Sequence, residues 1–297
     1  MKLLQFYLPS KGQRIGKLDG DVIQDITSPE INSTLKLIEI AVKRGVKVID
    51  IASELDVVGS YPYETLNVLP DKSLPHLLLP IHPPEVWGCG VTYKRSAEMR
   101  DEDTGKAKGI YDYVYYAKRP ELFFKATAER CSGPNNYISI RSDSQLTAAE
   151  PELAYILGKG KEIIGYTICN DVSAWDIERE NPLYLPQSKI FYGCCALGPV
   201  ISLVQEIENP YDLDIKCKII RKGETIFSGE INSSQIKRSF DELTEFLLRD
   251  NPIAVGTVMT TGTGIMIPNE YALEHGDIVE IEIENIGTLS NPVRKLQ

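Results

Sequence analysis

The sequence predicts a strand-rich α+β fold, and three observations predict it. From about residue 85 onward the apolar segments are short, β-prone and bounded by Gly, Asn, Asp or Pro. Few segments carry the apolar spacing and caps of a helix, and there is no internal repeat or low-complexity tract. With 297 residues, 42% of them hydrophobic, the chain can build a real core as one large domain or two modest ones.

The first unit, residues 1–80, reads as a small α/β domain. Leu3–Tyr7 and Val22–Asp25 are strand-like. In LKLIEIAVKRG the apolar positions Leu35, Leu37, Ile38, Ile40 and Ala41 suit a helix that Gly45 ends. From Pro62 to Pro84 the prolines are dense enough to exclude regular ladders, so this stretch is expected to be an extended connector.

The second unit, residues 81–297, reads as the main domain. VWGCGVTY is expected as a strand and TYKRSAEMRDED as a polar helix after it. PELFFKA, NNYISI, PELAYILG, IIGYTICNDVS, ALGPVISL, LDIKCKIIRKG, TIFSGEI and DIVEIEIENIG follow as short strands. SFDELTEFLLRD is the clearest helix, with Ser239 as N-cap, Glu242 completing a capping box, then Phe246, Leu247 and Leu248. The helix after Tyr93 with the acidic stretch RDEDTGKAKG reads as a lid over a site or as a solvated loop.

Bulk properties exclude some functions. A formal net charge of -10 argues against non-specific nucleic-acid binding, which needs basic surface. No apolar run approaches the roughly 20 residues that span a bilayer. The N-terminal MKLLQFYL breaks at Pro9, too short for a signal peptide. The six cysteines, Cys89, Cys131, Cys169, Cys194, Cys195 and Cys217, show no C-x-x-C spacing and read as reduced thiols of a cytoplasmic protein.

Chemistry begins at TAAEPELAYIL, where Glu150 and Glu152 flank a proline at the edge of an apolar run. In a strand, residues two apart share a face, so the two carboxylates would project together. Either the strand starts at the surface and both stay wet, or a hard divalent cation compensates them. Asp171, at the end of IIGYTICND, is a third acid, or else an Asx turn leading into VSAWDIE. Three oxygen ligands without a nearby histidine or cysteine favour Mg²⁺, Mn²⁺ or Ca²⁺ over Zn²⁺. Lys189 in QSKIFYG sits among apolar and aromatic residues, and either snorkels outward or reaches such a site. There the cation and desolvation would both favour the neutral amine, a base. Glu121 precedes the strand-like LFF, as a site acid or as a rim charge paired with Lys125.

These motifs resemble the fumarylacetoacetate hydrolase superfamily. Its E-x-E is Glu150-Pro151-Glu152 here, its "GYT-x-x-NDVS" stretch is Gly165 to Ser173, and its Lys-containing segment ending in "LGP" is Lys189 to Pro199. GTVMTTGTGIM is similar to the family's "TGTP-x-G" turn, HGDIVEIEIENIGTLSNPV to its closing hairpin, and PELFFKA to its "P-x-x-F-x-K" strand. Together they cover roughly residues 85–297. The resemblance implies a mixed β-roll domain, a bound Mg²⁺ or similar ion on Glu150, Glu152 and Asp171, and a 2-oxo acid beside Lys189. It also implies a homo-oligomer, dimer or tetramer, and marks Gly90, Tyr93 and Thr263 as substrate-contacting candidates.

Departures from the pattern refine the expected activity. The family's "G-x-N-Y-x-x-H-x-x-E" segment is GVTYKRSAEM here, with Thr92 for the asparagine and Ser96 for the histidine that helps activate water in the hydrolases. "SARD" is SAWD, with Trp175 for the arginine. Elimination needs no activated water, so the resemblance, with Glu121 ahead of LFFK, implies a dehydratase of a 2-keto-3-deoxy sugar acid in oxidative pentose breakdown. Lys189 would be the base and Glu121 the acid, or the reverse. An acylpyruvate hydrolase, an oxaloacetate decarboxylase and an idle metal-binding module are the alternatives.

Overall fold

The structure is a computed structural model that describes residues 1–94 and 109–297. The polar helix expected after Tyr93 and the acidic stretch of the expected lid lie outside the described residues. Strands β1 (Lys2–Leu8), β2 (Gly12–Asp19), β3 (Val22–Asp25), β4 (Gly59–Pro62), β5 (His76–Leu77), β6 (Val86–Gly90), β7 (Glu121–Ala126) and β8 (Cys131–Ser132) come first. Then follow β9 (Ile138–Ile140), β10 (Thr147–Ala148), β11 (Pro151–Leu157), β12 (Ile163–Asp171), β13 (Ser173–Ala174) and β14 (Cys195–Leu203). The chain closes with β15 (Asp214–Arg221), β16 (Glu224–Asn232), β17 (Val258–Thr260), β18 (Ile278–Ile283) and β19 (Gly287–Lys295). The helices are α1 (Thr34–Arg44), α2 (Val48–Glu54), α3 (Tyr63–Leu66), α4 (Ile110–Tyr116), α5 (Trp175–Glu180), α6 (Leu185–Lys189) and α7 (Phe240–Leu248). The strand-rich α+β class is observed.

Among the described residues the largest sheet has the order β4-β3-β2-β1-β14-β12-β11-β17-β6-β7, with β5 added on β1 and β8 on β14. Its centre is legible as sequence: every residue of PELAYIL in β11 and of CALGPVISL in β14 is buried, the pattern of strands covered on both faces. Through β1, paired to β14 at Lys2↔Ser202 and Leu3↔Ile201, the sheet continues from the first eighty residues into the strands that carry the site. A five-stranded sheet, β16-β15-β18-β19-β9, packs against it through β19 on β14 and β15 on β11. There DIKCKI alternates exposed and buried, so Ile215, Cys217 and Ile219 face the core.

Two helices follow their caps. The Ser33 hydroxyl accepts from the Lys36 N–H, and Gly45 ends α1 in the left-handed region, φ 66°, donating to Ala41 and Val42. The Ser239 hydroxyl accepts from the Glu242 N–H at 3.1 Å, but Glu242 takes Arg238 at 2.7 Å, so only the serine half of the expected capping box forms. The proline-dense stretch is more ordered than expected. Tyr63–Leu66 is a helical turn entered from Pro62, and His76–Leu77 pairs with Phe6–Tyr7 of β1. Proline is tolerated ahead of a helix, and the paired residues are non-proline residues that keep their N–H groups.

Candidate active site

The site forms where β11 begins and β12 ends. The two strands are antiparallel, with Pro151 opposite Asn170 and Glu152 opposite Cys169. The Glu150 N–H donates to Asn170 Oδ1 at 3.1 Å, and the Asp171 N–H to the Glu150 carbonyl at 2.9 Å. This pairing delivers the three acids to one point. Glu150, Glu152 and Asp171 each present an oxygen within 4.8 Å of the others, and all are buried. They do not stay wet at the surface.

Two buried lysines meet them. Lys189, at the end of α6, donates to Glu150 Oε2 at 3.0 Å, Asp171 Oδ2 at 2.9 Å and the Ser173 hydroxyl at 2.7 Å. Its ammonium lies 5.3 Å from the centre of the Phe123 ring. It does not snorkel to the surface. Lys125, fully buried, pairs with Asp171 and donates to the carbonyls of Val172 at 2.9 Å and Lys189 at 2.6 Å. Desolvation is the largest single influence and lowers its pKa, but Asp171 together with Cys194 and Cys195 holds it above the ordinary value.

Glu121, Phe123 and Lys125 are two apart in β7, so one face of this strand supplies all three to the site. Lys125 is therefore an interior partner of Asp171 rather than a rim partner of Glu121. Gly90, paired with Glu121 across β6 and β7, makes room for it: a Cβ there would stand 2.0 Å from Glu121 Oε2. Gly90, Glu121, Glu150, Asp171, Lys189 and Thr263 line one pocket of about 10 Å³, room for a single water-sized group. No histidine is among the described residues that line it. Tyr93 does not line it; it is buried behind, its ring against the backbone of Gly264. Burial, then the Glu152 charge, pushes its hydroxyl pKa up.

Residues whose place the sequence reading missed complete the cage. The Trp175 indole donates to Glu150 Oε1 at 2.7 Å, so Glu150 is held from both oxygens, by Lys189 and by this ring. Gly262, at φ +82°, donates its N–H to Glu152 Oε2 at 2.7 Å, and a Cβ there would stand 2.2 Å from the Thr92 hydroxyl. Period two from Glu121 points to Lys125, and the TGTG motif contains Gly262. No local signal marks Trp175.

Among the described residues the site gathers more acids than amines, Glu121 and the triad against Lys125 and Lys189. Burial, then repulsion from Asp171 and Glu150, pushes the Glu152 carboxyl well above its usual range. Hard oxygen donors, residual negative charge and burial fit a divalent cation such as Mg²⁺.

The chain matches the family described as fumarylacetoacetate (FAA) hydrolase C-terminal over residues 86–294. It is 53% identical over 219 residues to the 2-dehydro-3-deoxy-D-arabinonate dehydratase of Saccharolobus solfataricus, covering 73% of this chain and 74% of that one. It is 43% identical over 218 residues to the "Probable 2-keto-3-deoxyxylonate dehydratase" of Haloferax volcanii, covering 73% and 75%. Among solved structures it superposes on 2-keto-3-deoxy-D-arabinonate dehydratase complexed with magnesium and 2,5-dioxopentanoate, with a TM-score of 0.86, 42% identity and full coverage of both chains.

Proposed function

The chain belongs to the fumarylacetoacetate hydrolase family, and from that premise we propose that it is a magnesium-dependent dehydratase of a 2-keto-3-deoxy sugar acid, converting 2-keto-3-deoxy-D-arabinonate to 2,5-dioxopentanoate. One observation carries the reading: the buried acid triad shares its pocket with Lys189 and Glu121.

Glu150, Glu152 and Asp171 would hold the ion. When bound, magnesium supplies Lewis acidity that polarises the C2 carbonyl and eases loss of a C3 proton. Lys189, as a neutral amine, takes that proton. Glu121, as a carboxylic acid, protonates the C4 hydroxyl, which leaves as water. Elimination gives a C3–C4 double bond beside the C5 hydroxyl. Moving a proton from C5 to C3 then gives an enol, whose tautomer is the C5 aldehyde. Lys125, Trp175 and Gly262 orient the acids by the contacts described.

The substrate is a small 2-oxo sugar acid. A homo-oligomer, dimer or tetramer, accompanies this reading through the family. The free cysteines, five of the six buried, support a reducing, cytoplasmic setting. No helix among the described residues is long and apolar enough to cross a membrane.

The test is product analysis of the magnesium-loaded protein with the five-carbon 2-keto-3-deoxy acid. A single aldehyde product, lost on adding EDTA, is expected. Two carbon fragments would point to a hydrolase, CO₂ to a decarboxylase, and no metal-dependent turnover of any 2-oxo acid to an idle module. Lys189→Met should abolish turnover while magnesium binding stays measurable by calorimetry; wild-type activity would remove the lysine from the mechanism.

A further inference from the structure

The metal pocket does not end at Glu121. That residue, with Val91 and Leu185, also lines a second cavity of about 70 Å³. The second chamber is mostly apolar, with Ile110, Val114 and Pro182 among its walls. Among the described residues its polar lining is Glu121 and a pair in which the Tyr111 hydroxyl donates to Glu178 Oε1 at 3.3 Å, both residues buried. A carboxylate in such a lining carries a desolvation cost unless it has polar company.

The scaffold fixes this pair relative to the triad. Glu178 lies in α5, whose first residue, Trp175, bonds Glu150. Thus one short helix ties the far chamber to the metal end. Val91, a β-branched residue at φ 56°, stands at the wall between the chambers, a backbone conformation such residues rarely adopt.

We infer that the second chamber is the subsite for the distal end of the substrate, and that Tyr111 and Glu178 recognise its terminal primary hydroxyl. The inference rests on the proposed dehydratase reading and deepens it. A 2-oxo acid anchored by its carboxylate and ketone beside the acids has its C4 near Glu121, so C5 must continue past that wall. The chamber has room for several water-sized groups. A primary hydroxyl there can donate to the Glu178 carboxylate and take in exchange the Tyr111 phenol proton that otherwise goes to Glu178 Oε1. A pocket built to bond a hydroxyl rejects an analogue without it strongly, because its own polar groups lose a partner.

The experiment compares kcat/KM for the five-carbon 2-keto-3-deoxy acid with that for 4-hydroxy-2-oxopentanoate, the same chain with a terminal methyl. Both contain the C3 proton and C4 hydroxyl that elimination needs. The wild type should favour the hydroxylated acid by about 10² or more, and Tyr111→Phe and Glu178→Gln should each reduce that ratio at least tenfold. A ratio unchanged in both variants overturns the subsite, even if both rates fall together, since a structural role would lower both in step. Tyr111→Phe removes one oxygen, and magnesium titration of each variant checks that the triad is intact. A wild type that dehydrates neither acid overturns the dehydratase reading itself. A wild type that turns over both equally overturns only this inference.

Discussion

Replacing Gly90 with alanine isolates the placement of Glu121 from its chemistry. Gly90 does not have a positive φ, so the backbone accepts alanine without strain. The new methyl, however, would stand 2.0 Å from Glu121 Oε2 and 2.9 Å from its Cδ. Ordinary contact needs about 3.4 Å or more, so the carboxyl group must retreat by about 1 Å or more. A displacement of that size in a proton-transfer group costs about 10²-fold in rate, which is about 2.7 kcal/mol of barrier. No atom of the triad or of either lysine lies closer to this methyl than 3.5 Å. The expected result is therefore a kcat near one hundredth of wild type, magnesium affinity by calorimetry within twofold, and a thermal midpoint within a few degrees. Turnover should be followed by NMR appearance of the aldehyde at saturating substrate. If Gly90→Ala keeps kcat within threefold of wild type, Glu121 is not held in place for the reaction and the assigned role fails.

Three further outcomes follow from the same geometry. Lys125→Met removes the buried partner of Asp171 Oδ1 and of two carbonyls, while Oδ2 keeps Lys189, so urea unfolding should report a loss of about 3–5 kcal/mol; under 1 kcal/mol would show that the contacts contribute little. In Trp175→Phe, Glu150 Oε1 loses the indole donor while Oε2 keeps Lys189. Magnesium affinity should weaken about 10-fold or more by calorimetry, and an unchanged affinity would refute an orienting role. Glu152, raised above its ordinary 4.5 first by burial, binds a proton more tightly folded than unfolded without metal. Stability of EDTA-treated protein should therefore fall as pH rises from about 4.5 through the raised value, and saturating magnesium should abolish that fall. Urea midpoints that rise with pH in EDTA would contradict the assignment.

Much of the fold was readable because its signals are local. Ser33 and Gly45 bracket α1, Ser239 starts α7, and the uniformly apolar PELAYIL and CALGPVISL mark central strands. The same logic fails where proline density predicts an extended connector without ladders: position within the stretch matters, and His76 and Leu77 keep the N–H groups that β1 uses. Glu150, Glu152, Asp171 and Lys189 were found as polar residues embedded in apolar runs. That signal identifies an unusual environment, not a partner, so spacing points Lys125 toward Glu121 whereas in the fold it pairs with Asp171.

The residue types of the site, three hard oxygen donors with amines and no histidine among the described lining, were determined by the sequence alone, because chemistry is a property of side chains. Their convergence was decided only in three dimensions. Register between β11 and β12 brings residues twenty apart within hydrogen-bonding distance, and β6 and β17, far apart in sequence, close the pocket with Gly90 and the turn after Thr260. Trp175 makes the point most sharply. In the sequence it is a missing arginine; in the fold its indole N–H lies 2.7 Å from a carboxylate 25 residues away. Hydrogen bonds depend on distance and angle through space, and neither can be read from spacing along the chain.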